Sequence, residues 1–181
     1  FNFLSEEEAK KLISACTDLS SRLFVILGLN TGMRTQEMLS LKWENVNPED
    51  RTIVLMDTKK GGDDTIPMNE TVYDLLNKAA HISEYVICKP DGTKYKDVRK
   101  LWGRVLKTSG IKRCTPHILR HTFATTLVRA GADLRAVMVL GRWSSLKLVE
   151  RYAHVGKDHR KDSIALLDGR FQGDTKGDTV T

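Results

Sequence analysis

Cysteine is scarce in this sequence, and long apolar runs are absent from it. The three cysteines, Cys16, Cys88 and Cys114, form no C-x-x-C pattern, and an odd, widely spaced set does not make a disulfide framework. They are interpreted as free thiols, and no metal site is expected. No apolar stretch approaches the roughly 20 residues of a membrane-spanning helix. The N-terminal residues also lack the basic and apolar regions of a secretory signal, so a cytoplasmic protein without membrane contact is expected.

The remaining composition is that of an ordinary globular protein with a basic charge. Of 181 residues, 40% are hydrophobic and 29% are charged, and this length suits one domain. No internal repeat is present. The net charge of +6 and the isoelectric point near 9.3 favour an anionic partner. Charge alone does not identify that partner, since many basic proteins bind nothing acidic.

The first third of the chain carries three helix signals. Ser5 and Glu8 form a capping-box pattern and predict a helix over about 6–17. The apolar run L-F-V-I-L-G-L predicts a buried second helix that ends at Gly32, where glycine suits a C-terminal cap. A third helix is predicted to begin with Thr35 as its N-cap.

Two β-rich stretches then flank a glycine-containing turn between residues 51 and 68. This pattern predicts a β-hairpin with Lys59 and Lys60 at its tip. Solvated lysines are the ordinary interpretation of such a tip, although a lysine there can also reach a phosphodiester as a proton donor. Asn69 is predicted to cap a following helix, and E-Y-V-I-C, at 84–88, a third short strand.

Basic residues are concentrated between 89 and 113. This segment holds nine basic residues and two acidic ones, a surplus of +7. A solvated basic face explains such a run, and so does a surface that binds the phosphate backbone of a nucleic acid. The candidate contacts to a DNA backbone, including one lysine of the hairpin tip, are Lys60, Lys94, Lys96, Arg99, Lys100 and Arg104.

Arg34 is the first candidate for binding a single anion. It follows the break at Gly32, so backbone N–H groups and a guanidinium can converge there. Glu37, three residues on, is close enough to orient that guanidinium or to cap the helix. An ordinary surface arginine at a helix start remains the alternative.

A second group of candidates lies on one later helix. Thr115 as N-cap with Pro116 predicts a helix to Ala130, with Gly131 as its C-cap. Three polar side chains share one face of that helix, and apolar residues form the opposite face. The three polar residues are His117, Arg120 and His121.

Further along, Asp133 is predicted to cap a helix that ends at Gly141. Trp143 then follows on a turn, and Tyr152 lies on a short helix. Leu146, Val149 and Ala153 form the apolar stripe of that helix. Tyr152 is about 100° from the centre of this stripe, so it need not belong to the core. A half-buried aromatic residue is the alternative interpretation.

Five short motifs occur in the order and approximate spacing of one known family. They are T-G-M-R-x-x-E at 31–37, T-K-K-G-G ahead of I-P-M, H-I-L-R-H-T-F-A-T, L-G-R-W and R-Y-A-H-V. Each is weak alone, but together they make nearly the whole chain resemble the catalytic domain of the tyrosine recombinases, the phage integrase family. The resemblance implies a mainly α fold with a small antiparallel β-sheet (α+β), the fold of the DNA breaking-rejoining enzymes.

The resemblance also implies a role for each candidate. Tyr152 matches the nucleophile, and two arginines match those that hold the scissile phosphate. A hairpin lysine donates a proton to the leaving oxygen, and a histidine can draw the proton from the phenol. Trp143 departs from the commoner histidine, and an indole donates a hydrogen bond but cannot shuttle a proton. The implied catalytic residues are Arg34, Lys59, His117, Arg120, Trp143 and Tyr152, with Glu37 and His121 as orienting residues.

The implied reaction joins the tyrosine to a DNA 3′-phosphate and exchanges strands without metal, ATP or any cofactor. Two permanently charged guanidiniums suit it because they neutralise the charge of a five-coordinate transition state. A type IB topoisomerase shares this chemistry, and a DNA-binding regulator shares the fold without it. The intact set of candidate residues counts against the regulator.

The resemblance finally implies a domain organisation and partners. Residues 1–167 are expected to form the catalytic domain, and the polar, glycine-rich residues 168–181 a disordered tail. The family's N-terminal DNA-binding domain is expected to be absent from this chain. The full-length protein is expected to bind double-stranded DNA as a homo-tetramer, whereas this fragment alone can be monomeric.

Overall fold

The computed structural model describes residues 3–57, 62–112, 114–153, 164–165 and 168. Eight helices lie within these ranges: α1 (Glu6–Ser14), α2 (Leu19–Thr31), α3 (Thr35–Ser40), α4 (Glu70–Lys78), α5 (Arg99–Ser109), α6 (His117–Arg129), α7 (Leu134–Gly141) and α8 (Leu146–Ala153). An antiparallel sheet in the order β1-β2-β3 joins β1 (Val46–Asn47), β2 (Thr52–Asp57) and β3 (Gly62–Pro67). The expected mainly α fold with a small antiparallel sheet is confirmed.

The helix starts follow the capping signals of the sequence. Ser5 Oγ accepts the Glu8 N–H, and the Glu8 carboxylate accepts the Ser5 N–H, which completes the capping box of α1. Asn69 accepts the Val72 N–H at the start of α4, and Asp133 caps α7 in the same way. Gly32 ends α2 with φ 61°, in the left-handed region that glycine enters without strain.

Two expected helix starts lie one residue away from their predicted positions. The N-cap of α3 is Arg34 and not Thr35, because the Glu37 carboxylate accepts the Arg34 backbone N–H. The N-cap of α6 is Pro116 and not Thr115, and Pro116 already has helical dihedral angles. Both differences are within the usual spread of helix boundaries.

The expected third strand over 84–88 is wrong. The third strand of the sheet is β1, whereas this segment forms only isolated bridges, including Lys42 with Tyr85. The segment pairs with two different parts of the chain, at Lys42 and at Lys94, by one residue each, so no continuous ladder forms even though Val86, Ile87 and Cys88 are buried. Its backbone bonds go to the chain after α3, where the Val86 N–H donates to the Leu41 carbonyl.

Helix α6 lies between two hydrophobic clusters. Leu119 and Ile118 belong to the main core around α2, and Ala124 and Val128 belong to a second cluster with residues of α7 and α8. The buried residues of α6 therefore surround its axis instead of forming one stripe, and they include Arg120, which is 6% exposed. This differs from the expected division into an apolar face and a polar face.

The expected domain limit and tail cannot be compared with the structure. Residues 166–167 and 169–181, which are the expected end of the domain and nearly all of the expected tail, lie outside the described residues. Within the described ranges, no helix combines the length and apolar character that crossing a membrane requires.

The close approach of α2 and α6 gives a stability prediction. A Cβ at Gly28 would lie 2.7 Å from Leu119 Cδ1, whereas a Cβ at Gly103, in α5, meets nothing within 4 Å. Gly28→Ala should therefore destabilise the fold by about 1–3 kcal/mol through overpacking. Gly103→Ala should stabilise it by up to about 1 kcal/mol through helix propensity. Urea unfolding of both variants measures the difference, and equal effects at the two sites would contradict the packing explanation.

Candidate active site

The turn between α7 and α8 holds two arginines through two consecutive carbonyls. Arg120 Nη2 donates to the Gly141 carbonyl, and Arg34 Nη2 donates to the Arg142 carbonyl at 3.2 Å. The turn depends on Gly141, because a Cβ there would lie 1.7 Å from Trp143 Cζ3. Arg34 and Arg120, which are far apart in sequence, are thereby brought to one point.

Arg120 is the buried member of this pair. Its Nη1 donates to the Gly32 carbonyl, at the glycine that ends α2. Its guanidinium carbon lies 4.0 Å from the centroid of the Trp143 ring, a cation–π contact. Burial, with the positive charges of Arg34 and Arg142, lowers the pKa of Arg120 to about 10. Arg120 therefore stays charged at neutral pH but lies where additional negative charge is favoured.

Glu37 holds the exposed member, Arg34, in place. One carboxylate oxygen accepts from Arg34 Nη1 at 2.7 Å, and the other accepts from the Arg34 backbone N–H at 2.6 Å and from Arg142 Nη2 at 2.7 Å. Burial works to raise the pKa of Glu37, but the charge of Arg142 and the hydrogen bonds from both arginines outweigh it, so the pKa lies below its ordinary value. Glu37 is thus an ionised bridge between two guanidiniums.

Arg142 is a site residue that sequence reasoning missed. Its side chain is 8% exposed, and its Nε lies 3.7 Å from an Asp64 oxygen of β3. The only signal was its place in L-G-R-W, between the glycine and the tryptophan that did attract attention. A basic residue beside a candidate site is too common a feature to be singled out without coordinates.

Tyr152 is buried, although its position off the predicted apolar stripe meant that it need not belong to the core. It is 1% exposed and packs in the second cluster, with its ring centroid 5.7 Å from that of Trp143. The buried side of α8 runs through Val149 and Tyr152, whereas Leu146, assigned to the apolar stripe, is 42% exposed. The predicted apolar stripe of α8 is therefore centred about one residue position away from the side of the helix that is buried.

The Tyr152 hydroxyl lies 2.8 Å from His121 Nδ1. Burial, together with the nearby charges of His117, Arg151 and Arg120, lowers the pKa of His121. A neutral imidazole protonated on Nε2 can accept the phenol proton at Nδ1. Burial also raises the pKa of Tyr152 itself, although the charges of Arg120 and Arg151 oppose that shift.

The other predicted residues are placed less centrally or lie outside the described ranges. His117 is exposed, with its ring centroid 6.2 Å from that of His121. Lys59 and Lys60 fall in the gap at 58–61. No group of His, Cys, Asp or Glu side chains suited to a metal ion is found in the part of the chain that the structure describes.

The candidate DNA-backbone residues do not all have free side chains. Lys94 Nζ donates to Ser40 Oγ at 2.9 Å, at the end of α3. Arg99 pairs with Asp97 at 2.9 Å, and Arg104 pairs with Asp18 at 3.1 Å. Lys96 and Lys100 are exposed. Their contacts with DNA stay a prediction.

Comparison with known proteins identifies the family. The sequence model of the phage integrase family matches residues 2–159. The chain belongs to the phage integrase family. It is 29% identical to the integrase of Salmonella phage P22 over 185 aligned positions, which cover 93% of this chain and 48% of that relative. It is 33% identical to the tyrosine recombinase XerA of Pyrococcus furiosus over 188 positions, which cover 94% and 64%.

The fold agrees with this assignment. The crystal structure of a XerA recombinase superposes with a TM-score of 0.75 at 26% identity, covering 92% of this chain and 63% of the other. The predicted family resemblance is therefore confirmed. This member of the phage integrase family spans less than two thirds of the length of each of the two sequence relatives.

The Glu37 bridge gives a second stability prediction. Glu37→Gln should cost about 1–3 kcal/mol at neutral pH, because it removes the charge of the carboxylate that accepts a hydrogen bond from the buried Arg142 guanidinium. The depressed pKa of Glu37 means that its stabilisation is present above the ordinary glutamate pKa and is lost as the pH falls through the folded-state value. The difference between the variants should shrink accordingly in urea unfolding at acidic pH.

Glu70→Gln is the matched control, because Glu70 pairs with Arg51 at 2.6 Å on the exposed surface. It should have little effect. A loss for Glu37→Gln no larger than for this control would show that the bridge is not stabilising.

Proposed function

We propose that the protein containing this chain is a tyrosine-type site-specific DNA recombinase, which exchanges strands through a 3′-phosphotyrosyl intermediate. The observation that carries the proposal is the convergence of Arg34 and Arg120 on one turn beside Trp143, with the Tyr152 phenol in the same cluster. The names of the relatives, an integrase and a tyrosine recombinase, support the same activity.

The two arginines are arranged to bind one phosphate of double-stranded DNA. A guanidinium has five N–H donors, and both arginines spend two nitrogens on protein acceptors, which leaves further N–H groups for a ligand. Because those acceptors hold the planes of both groups, little reorganisation is needed when charge develops on the non-bridging oxygens. Trp143 can add an N–H donor but no proton transfer.

The phenol of Tyr152 must lose its proton to attack phosphorus. His121 Nδ1 is within hydrogen-bond distance of the hydroxyl, and the lowered pKa keeps this ring neutral and able to accept that proton. His121, which the resemblance implied only as an orienting residue, thus takes the role expected of His117. The new P–O bond forms to Tyr152 as the bond to the 5′-oxygen breaks. Lys59 then protonates that leaving oxygen, as the family resemblance implies.

The burial of Tyr152 adds a conformational step. A phenol that is 1% exposed cannot approach a phosphorus atom, so α8 must shift relative to Trp143 and α6 when DNA binds. Because α8 has only eight residues and contributes just Val149 and Tyr152 to the core, the contacts that oppose this shift are few. The described arrangement is accordingly a resting state.

The partners of the whole protein follow from the same proposal. Double-stranded recombination-site DNA is the substrate, and a homo-tetramer on DNA is the acting assembly in the cytoplasm. The exposed lysines Lys96 and Lys100 contribute contacts to the DNA backbone, together with Lys94, whose Nζ donates to Ser40 at the end of α3. Residues 1–167 serve as the catalytic domain of this assembly.

Covalent trapping tests the proposal. Full-length protein is incubated without metal with a duplex that carries the junction of its own genetic element and a nick beside the cleavage position. A DNA-linked protein band on a denaturing gel is expected, and Tyr152→Phe should abolish it because no other phenol lies in the site. Tyr73→Phe, on α4, is the control and should keep the band. Sequence-specific binding without any band would instead indicate a DNA-binding regulator.

The role of His121 gives a separate kinetic prediction. His121→Phe should lower the single-turnover cleavage rate by about 10²–10⁴-fold, the usual contribution of a general base. In the wild type the rate should fall with decreasing pH through the folded-state pKa of His121, which lies below the ordinary histidine value, because protonation removes the acceptor. His81→Phe, stacked on Trp43 outside the site, is the control. An unchanged rate and pH profile in His121→Phe would assign the proton transfer to another group.

A further inference from the structure

Arg142 has a backbone conformation that its residue type disfavours. Its φ is 58°, in the left-handed region, and among the described residues Arg51 is the only other non-glycine residue with a positive φ. A Cβ in this region meets the following carbonyl, a cost that glycine does not have. The conformation is what turns the carbonyls of Gly141 and Arg142 toward the two phosphate-binding arginines. Glycine would satisfy the backbone alone, so an arginine here points to a role for its side chain.

The Arg142 side chain extends from this turn into the site. It is 8% exposed, and its Nη2 is 2.7 Å from the same Glu37 oxygen that accepts the Arg34 backbone N–H. Its Nη1 donates to the Leu140 carbonyl at 3.1 Å. Its Nε is buried without a hydrogen-bond partner and lies 3.7 Å from Asp64 of β3. The side chain therefore connects α3, the α7–α8 turn and the hairpin.

We propose that Arg142 is a positioning residue, which fixes Arg34 for phosphate binding by holding Glu37 with its side chain and Arg34 Nη2 with its own carbonyl. Without the Arg142 guanidinium, the Glu37 carboxylate is free to rotate and to pair more fully with Arg34. Arg34 would then turn its donors from the ligand toward Glu37. The side chain thus keeps one carboxylate shared between two guanidiniums.

The charge of Arg142 acts in the same direction. Three guanidiniums and the carboxylates of Glu37 and Asp64 meet at this point, which leaves an excess of one positive charge. A phosphodiester group of DNA carries one negative charge, which balances that excess. Arg142 also lies close enough to Arg120 to lower its pKa, so the three groups respond to the ligand together. This inference rests on the proposed strand-transfer function, since it explains how the phosphate site of that reaction is aligned.

Arg142→Gly in the full-length protein tests the inference, because glycine keeps the turn and removes only the side chain. Single-turnover cleavage at saturating DNA should slow by about 10–100-fold, the effect of a misaligned binding group, while the Kd for DNA changes little. Arg142→Lys should recover part of the rate. Free guanidinium ion, at concentrations far below those that unfold proteins, should restore Arg142→Gly by occupying the vacated position.

Arg51→Gly is the matched control. Arg51 also has a positive φ, 51°, and also pairs with a glutamate, Glu70, but on the exposed surface away from the site. It should cleave like the wild type with and without guanidinium ion. A wild-type cleavage rate for Arg142→Gly would overturn the inference, and so would a loss that lies entirely in DNA affinity.

A crystal structure of Arg142→Gly separates this inference from the proposed function. If the wild type forms no covalent product, strand transfer is refuted, but the positioning role is still decided by the orientation of Arg34. Rotation of its guanidinium toward Glu37 would support the role, and an unchanged Arg34–Glu37 geometry would overturn it.

Discussion

The site depends on how several positive charges are kept close together. Arg34, Arg120 and Arg142 converge on one turn, where repulsion and burial both disfavour them. Three backbone carbonyls provide the negative ends of dipoles, and the Glu37 and Asp64 carboxylates provide two full negative charges. The arrangement is satisfied enough to fold, yet it leaves an excess of positive charge, which is why we propose that it binds a phosphate.

The fold places this cluster through a few close approaches. Gly28 lets α2 contact Leu119 of α6. Gly141, at the end of α7, leaves room for the Trp143 ring. Since Arg120 lies on α6 between two hydrophobic clusters, its guanidinium position follows from the packing of both. The geometry of the candidate site therefore depends on the packing of the core. The exception is α8, whose short buried side holds Tyr152, the proposed nucleophile, by few contacts.

Local sequence signals accounted for much of the fold. Ser5 with Glu8, Asn69 and Asp133 each predicted a helix start because a side chain caps a backbone N–H within three residues, which is a local interaction. The motifs around Arg34 and Arg120 also predicted the residues that meet in the site. These predictions needed no knowledge of packing.

The sequence predictions that failed depend on contacts between residues that are far apart in the chain. The segment 84–88 has the composition of a strand, but it pairs with neighbouring segments only at single residues, and tertiary packing decides whether such a segment joins a ladder. Tyr152 was predicted to lie off the apolar stripe of α8, because the period of an eight-residue helix does not fix its buried side. Arg142 was missed because its importance comes from Glu37 and Asp64, which are far from it in sequence.

The most direct measurement is a crystal structure of the full-length protein trapped on its DNA site. We predict that the scissile phosphate lies between Arg34 and Arg120, with donors from both within hydrogen-bond distance and the Tyr152 oxygen in line with the breaking bond. A phosphate bound elsewhere, with both arginines contacting only their carbonyls and Tyr152 still buried against Trp143, would contradict the assignment of this cluster as the active site.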